Sequence, residues 1–232
     1  VRPRHLLAAV AAGLVLLLAG CTGAPGPTTA ALPAAADLLS RSAAAMKQVR
    51  TVGVDIQVDP ALSTVPVRAA TGSLTAAGDA VGSVTLAQGG TPVEFEFVVV
   101  GGKIYLKGPT GGFGPPIPVS LAAGFYDPTV VLDPQRGVAR LLATATPGAT
   151  EAKETVDGVD SYRVPATLAP DAVAALVPGV SGPVKGLLWI DAATSRLVKA
   201  ELQVPAGPGS ATGPATVQLH DYDAPVSVTA PA

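Results

Sequence analysis

Two Gly-Gly pairs, Gly89-Gly90 and Gly101-Gly102, interrupt one run of alternating apolar residues and leave that stretch little choice of structure. A two-residue hairpin turn needs positive φ at its centre, which glycine supplies at no steric cost. Ala80 to Gln88, Thr91 to Val100 and Lys103 to Lys107 flank these turns and alternate as strands do. A turn at Gly89-Gly90 sets Leu86 opposite Val93 and Val84 opposite Phe95. A turn at Gly101-Gly102 sets Val99 opposite Ile104 and Phe97 opposite Leu106. The two registers agree. Val84, Leu86, Val93, Phe95, Phe97, Val99, Ile104 and Leu106 fall on one face, and Glu94 and Glu96 on the other. The expectation is an antiparallel meander with one apolar side.

The remaining chain extends this pattern. Val52, Val54, Ile56 and Val58 alternate with Gly53, Asp55 and Gln57, and after a loop at Pro60 to Pro66 a further strand runs from Arg68 to Ala76. Gly108 to Pro118 is a loop, and Val119 to Phe125 reads as a short helix or turn. Asp133 suits an N-cap and Pro134 a first helical position, for a helix with Val138, Leu141, Leu142 and Ala145 on its apolar stripe and Pro147-Gly148 as its stop. Asp157-Gly158 joins strands at Thr150 to Val156 and Asp160 to Thr167. Pro170 opens a short helix with Val173, Leu176 and Val177, ended by Pro178-Gly179. Val184 to Ile190, Arg196 to Val204, Ala215 to Tyr222 and Pro225 to Thr229 read as the last strands, with Pro205 to Pro214 a loop. A helix at Ala34 to Val49 precedes them all, with Leu38, Leu39, Ala45, Met46 and Val49 as its stripe.

A large antiparallel sheet with one apolar face must have that face covered. The helices are few and short for the task. Inward residues are mostly Val, Leu and Ala, and the whole chain holds four Phe, four Tyr and one Trp. Small side chains on a strongly curved sheet leave a void, and an apolar void suits an apolar ligand. The alternative, an Ala- and Val-rich face packed tightly on the helices, stays open at this point.

The start of the chain has its own logic. Arg2, Arg4 and His5 form a basic head, Leu6 to Leu18 is apolar, and the run closes on Leu18-Ala19-Gly20-Cys21. This reads as an export signal over residues 1–20, too short for a span of ~20 apolar residues. Val1 reads as an initiator position translated as Met. The Leu-Ala-Gly-Cys ending resembles the lipobox of bacterial lipoproteins, which implies cleavage before Cys21 and a diacylglyceryl group on its thiol. An ordinary secreted protein with a chance cysteine is the alternative. Cys21 is the one cysteine of the chain, so no disulfide is available. Residues 21–33 read as an acylated Cys and flexible tether, rich in Gly, Pro, Thr and Ala. Residues 34–232 read as one domain, expected to be a monomer anchored to the outer face of the cell membrane.

Charge and motifs exclude other functions. The formal charge is −2 before Arg2 and Arg4 are removed, which disfavours nucleic acid. Gly111, Gly112 and Gly114 precede Pro115-Pro116 rather than Gly-Lys-Ser/Thr, so no phosphate loop is expected. Gly179-Val180-Ser181-Gly182 lacks the spacing of a nucleophile elbow. Beyond the signal, His220 is the one histidine. It reads as a polar residue on an edge strand rather than a base or ligand, and no His/Cys metal cluster can form. No enzyme activity, metal or cofactor is expected.

The order of these elements resembles the LppX/LprA/LprF/LprG lipoproteins of mycobacteria and related actinobacteria. The matching stretches are Phe97 to Tyr105, Phe113-Gly114-Pro115, Tyr126-Asp127-Pro128 through Leu132-Asp133-Pro134, and Val184 to Asp191 with Trp189-Ile190. The signal and lipobox match as well, and the likeness is greatest to the LprG-like members. The resemblance implies an α+β fold: a strongly curved antiparallel half-barrel with short helices on its concave side, similar to LolA and LolB. It implies a hydrophobic cavity for a multi-acyl lipid. LprG-like members take triacylated glycolipids and triacylglycerol and act with a major-facilitator lipid transporter, while LppX-like members are associated with a waxy diester. Combined with the hairpin registers, the expected cavity residues are Val84, Leu86, Phe95, Phe97, Val99, Ile104 and Leu106, and the expected function is a membrane-tethered carrier. A headgroup would sit by the loops at Gly108 to Pro118 and Pro205 to Pro214. A non-carrier envelope lipoprotein, serving a transporter as an accessory module, is the rival.

Overall fold

The Gly-Gly turns form as their chemistry requires. In the computed structural model, which describes residues 31–63, 65–122, 128–177, 180, 182–205 and 212–231, Gly89, Gly90, Gly101 and Gly102 all have positive φ. Leu86 pairs with Val93, Val84 with Phe95, Val99 with Ile104 and Phe97 with Leu106. Cys21 and the signal, Phe125, Tyr126-Asp127, Pro178-Gly179 and much of the loop after Pro205 lie outside the described residues.

In chain order the elements are α1 (Ala35–Met46), β1 (Thr51–Val58), β2 (Val67–Thr75), β3 (Ala80–Gln88), β4 (Thr91–Val100), β5 (Lys103–Lys107), β6 (Ile117–Pro118) and α2 (Val119–Ala122). A 3-10 turn at Pro128–Val130 leads to α3 (Val138–Thr144), β7 (Thr146–Pro147), β8 (Ala152–Val156) and β9 (Val159–Leu168). The chain closes with α4 (Pro170–Leu176), β10 (Val184–Asp191), β11 (Leu197–Pro205) and β12 (Thr212–His220). The strands form one 12-stranded antiparallel sheet in the order β6-β5-β4-β3-β2-β1-β12-β11-β10-β9-β7, with β8 also on β9. Two meanders, β1–β6 and β8–β12, are thus joined where the first strand meets the last. β6 and β7 end the sheet at opposite edges, so it is curved but open rather than a closed barrel.

The helices are amphipathic and share the core of one sheet face. Leu38, Leu39, Ala43 and Met46 of α1, Val138, Leu141 and Leu142 of α3, and Val173 of α4 belong to a continuous buried cluster. That cluster runs from Phe97, Val99 and Ile104 in the first meander to Val164, Leu188 and Ile190 in the second. Each strand therefore turns alternate residues toward the helices and the others outward.

Three local expectations are corrected. Asp133 and Pro134 do not open α3. The Asp133 carboxylate accepts from the backbone N–H of Gln135 and Arg136 at 2.8 and 3.1 Å and caps an isolated turn, while α3 starts after Gly137. A Cβ at Gly137 would lie 2.3 Å from the carbonyls of both Val130 and Val131, so this close crossing sets the boundary. Pro225 to Thr229 is not a strand. β12 already has β1 and β11 as neighbours, so a strand turning back from it finds no free edge. For the same reason His220, at the end of β12, lies on an interior strand rather than an edge strand.

Candidate functional site

Register turns the alternation into rows across the first meander. Val52, Leu74, Ala80, Val99 and Ile104 stand opposite one another on β1 to β5, and all five are buried. The next row is Val54, Gly72, Gly82, Phe97 and Leu106, and the one beyond is Ile56, Ala70, Val84 and Phe95. Every member of that third row is only half-buried. The cause is a shortage of atoms: at the centre of these rows β2 and β3 present Gly72, Gly82 and Ala70 in place of large side chains.

The space they leave is a hollow of about 280 Å³ over β1 to β5, bordered by Val54, Ile56, Ala70, Leu74, Val84, Leu86, Phe95, Phe97, Ile104 and Leu106. Ile117 and Leu121 stand on its border and are 40% and 75% exposed. A second hollow of about 100 Å³ lies over β1, β12 and β11, between Ala200, Ala215 and Val217 of the sheet and Val138, Leu141, Val173 and Leu176 of α3 and α4. Val54 and Ile56 border both, so the two hollows meet at β1. Among the described residues, Thr71 and Gln88 are the polar ones on the first border; the second has none, and no charged residue borders either. Such a surface can exclude water from apolar matter.

Of the seven residues expected to line a cavity, Val84, Leu86, Phe95, Phe97, Ile104 and Leu106 border the larger hollow. Val99 shares their face but has no exposed surface, closed in between Ala80 and Ile104, and does not border the hollow. The contributions of β1 and β2 were not assigned from sequence, although Val52 to Val58 alternates clearly. Relating its face to that of the hairpins needs the β1–β2 pairing, and Ala69-Ala70-Thr71-Gly72 carries no apolar period to announce it.

The titratable groups cluster elsewhere. His220 Nδ1 lies 2.8 Å from Asp221 Oδ2 and its Nε2 lies 3.1 Å from Asp55 Oδ2. Its ring occupies the space opposite Gly53, where a Cβ would come within 2.4 Å. Trp189, buried on the outward side of β10, donates Nε1–H to Glu154 Oε1 at 2.6 Å, and Lys199 Nζ sits 5.0 Å from its ring centre. Among the described residues no group of three or more His, Cys, Asp or Glu side chains could hold a metal, and no helix is long and apolar enough to cross a membrane.

Comparison with known proteins agrees with this architecture. The family described as LppX_LprAFG lipoprotein matches residues 34–228. The lipoarabinomannan carrier protein LprG of Mycolicibacterium smegmatis is 30% identical, over 100% of this chain and 98% of its own. The protein of the same name from Mycolicibacterium hassiacum is 33% identical, over 94% and 93%. Among solved structures, LprF from Mycobacterium bovis superposes with a TM-score of 0.74 at 24% identity, covering 85% of this chain and 97% of that one. LppX from Mycobacterium tuberculosis gives 0.59 at 19% identity, covering 84% and 98%.

Proposed function

The chain belongs to the LppX_LprAFG lipoprotein family, and from that premise we propose that it is a lipid carrier that shields the acyl chains of a multi-acyl lipid or glycolipid and helps move it across the cell envelope. The observation that carries this reading is the pair of hollows meeting at Val54 and Ile56, with no charged residue on either border among the described residues. Each methylene kept from water contributes about 0.8 kcal/mol. A lipid with several long chains therefore crosses an aqueous gap slowly unless something shelters them. The apolar face supplies that shelter, the Gly72–Gly82 and Ala70 positions supply the room, and the headgroup stays toward the polar rim near Gln88. Relatives named as lipoarabinomannan carriers support a glycolipid cargo.

In this reading Cys21 carries the diacylglyceryl anchor, and two or more acyl chains make a stable attachment to the outer face of the membrane. The tether then lets a monomeric domain reach both the membrane and a transporter of the major-facilitator type, which would hand over the lipid. The test is mass spectrometry of the organic extract of the chain purified from an actinobacterial host, with Cys21→Ser preventing acylation. Stoichiometric acyl lipid is the expected result. A folded protein that repeatedly yields none would favour the accessory-module reading instead.

A further inference from the structure

The loop after β1 crosses the smaller hollow as a strap. Leu62 has no exposed surface and Val65 is 3% exposed, although neither belongs to a helix or strand. Both border the hollow. Arg68 holds them from outside: its Nη1 donates to the carbonyl oxygen of Leu62 at 3.1 Å and to that of Val65 at 2.8 Å. Arg68 stands at the register shift between Val67 and Ala69, where β2 bulges against β3. A bulge releases a residue from the ladder and re-aims its side chain. On β12, Gly213 vacates the space that Leu62 takes; a Cβ there would lie 2.9 Å from Leu62 Cγ.

The remaining described backbone bonds either pin the ends of the strap across the fold, Asp59 N–H to Pro214 O and Ala87 N–H to Pro66 O, or act within it, as Ser63 N–H to Ala61 O does. Also within it, Leu62 N–H donates to Asp59 O and Val65 N–H to Leu62 O, at 3.0 and 3.1 Å. Ala61 N–H donates to Asp59 Oδ1 at 2.7 Å. The isobutyl group of Leu62 is chemically equivalent to a piece of acyl chain. A ligand's methylenes can replace it with little change in buried apolar area. Among the described residues, the side-chain hydrogen bonds on Leu62 and Val65 are the two from Arg68, so these are the ones a substitution can remove without altering the strap.

We propose that Leu62 and Val65 form a displaceable plug latched by Arg68, and that these residues set the acyl-chain length the protein accepts. This rests on the carrier reading. A short chain fits the larger hollow over β1 to β5 and leaves the latch closed. A long chain passes Val54 and Ile56, expels Leu62 and occupies both hollows as one trough.

The test compares the full chain with its Arg68→Gln and Gly213→Ala variants, using decanoic and stearic acid as probes. Binding is read by displacement of a fluorescent fatty acid, and plug opening by amide hydrogen exchange at Leu62 and Val65. Stearic acid speeds exchange at both amides in the unsubstituted chain and decanoic acid does not. Arg68→Gln speeds it about tenfold without ligand, the shift expected from losing the latch, and tightens stearic acid while leaving decanoic acid unchanged. Gly213→Ala evicts Leu62 from β12 and reproduces both effects, so the test survives if one variant fails to fold. Stearic acid bound with both amides still protected would overturn the proposal, as would folded variants that weaken both acids equally. If the unsubstituted chain binds neither acid, the carrier reading has failed and the plug falls with it.

Discussion

Gly72 and Gly82 face each other across β2 and β3, and neither could carry a methyl group: a Cβ at Gly82 would lie 2.1 Å from Thr71 O, and one at Gly72 would lie 2.5 Å from Val81 O. The obstructing atoms are backbone, which cannot rotate away. Close approach of the strands and the empty space above them therefore have one cause.

Gly82→Ala is expected to destabilise the fold by about 3 kcal/mol, the upper range for overpacking at a rigid site. In a domain of this size that lowers the melting temperature by about 6–12 °C. Gly112→Ala serves as the control, since nothing lies within 4 Å of its added Cβ. Calorimetry on the two variants checks the contrast, and equal melting temperatures would show that β2 and β3 can separate freely.

Val84→Trp and Val99→Trp should part company. Val84 borders the larger hollow, so an indole there has space to enter and should cut lipid co-purification several-fold while the fold survives. Val99 has no exposed surface and does not border the hollow, and overpacking there is expected to cost about 3 kcal/mol or more. Lipid content and circular dichroism on both variants test the division between floor and hollow.

The acid limb of stability should carry a contribution from Asp223. Its carboxylate accepts from Arg50 N–H at 2.9 Å and pairs with Arg196, tying the segment after β12 to the start of β1. The backbone hydrogen bond from Arg50, followed by the Arg196 side chain and charge, outweighs desolvation and lowers its pKa from 3.8. A lowered folded pKa gives stability that is complete above the unfolded value and lost as pH falls through the folded one. The stability gap between the unsubstituted protein and Asp223→Asn should be constant above about pH 5 and shrink below 3.8. Urea denaturation across that range measures it.

Glu154→Ala should redden and destabilise the one tryptophan's surroundings. Glu154 accepts from Trp189 Nε1 and from Arg163 Nη1, and its loss leaves a buried indole N–H without that acceptor. The expected cost is about 1–2 kcal/mol, with emission shifted to longer wavelength. Trp189 points outward while Leu188, its neighbour, points to the core. Lipid titration should therefore leave the emission of the unsubstituted chain nearly unchanged.

Much of the first meander was legible because its rules are local. Glycine pairs at Gly89 and Gly101 set the turns, and the turns set four cross-strand pairs. Asp157-Gly158 did the same between β8 and β9, where both residues take positive φ. Asp133-Pro134 misled because capping chemistry serves an isolated turn as well as a helix. The deciding contact there, Gly137 against the carbonyls of Val130 and Val131, involves a chain crossing that no cap motif encodes. The loop at Pro60 to Pro66 was visible only as a loop; the burial of Leu62 depends on Gly213, far away in the chain.

By itself the sequence determined which residues share a face and where the chain turns, since backbone sterics and a period of two act over only a few residues. Tertiary structure alone decided which part of that face is floor and which is hollow. Val99 and Phe97 follow the same alternation, yet one is sealed beneath its neighbours and the other borders open space. The difference arises from what lies beside them across the sheet, Ala80 in one row and Gly82 in the next, and from helices that dock from elsewhere in the chain. Burial is a property of neighbours in space, and these neighbours are set by strand pairing rather than by distance along the chain.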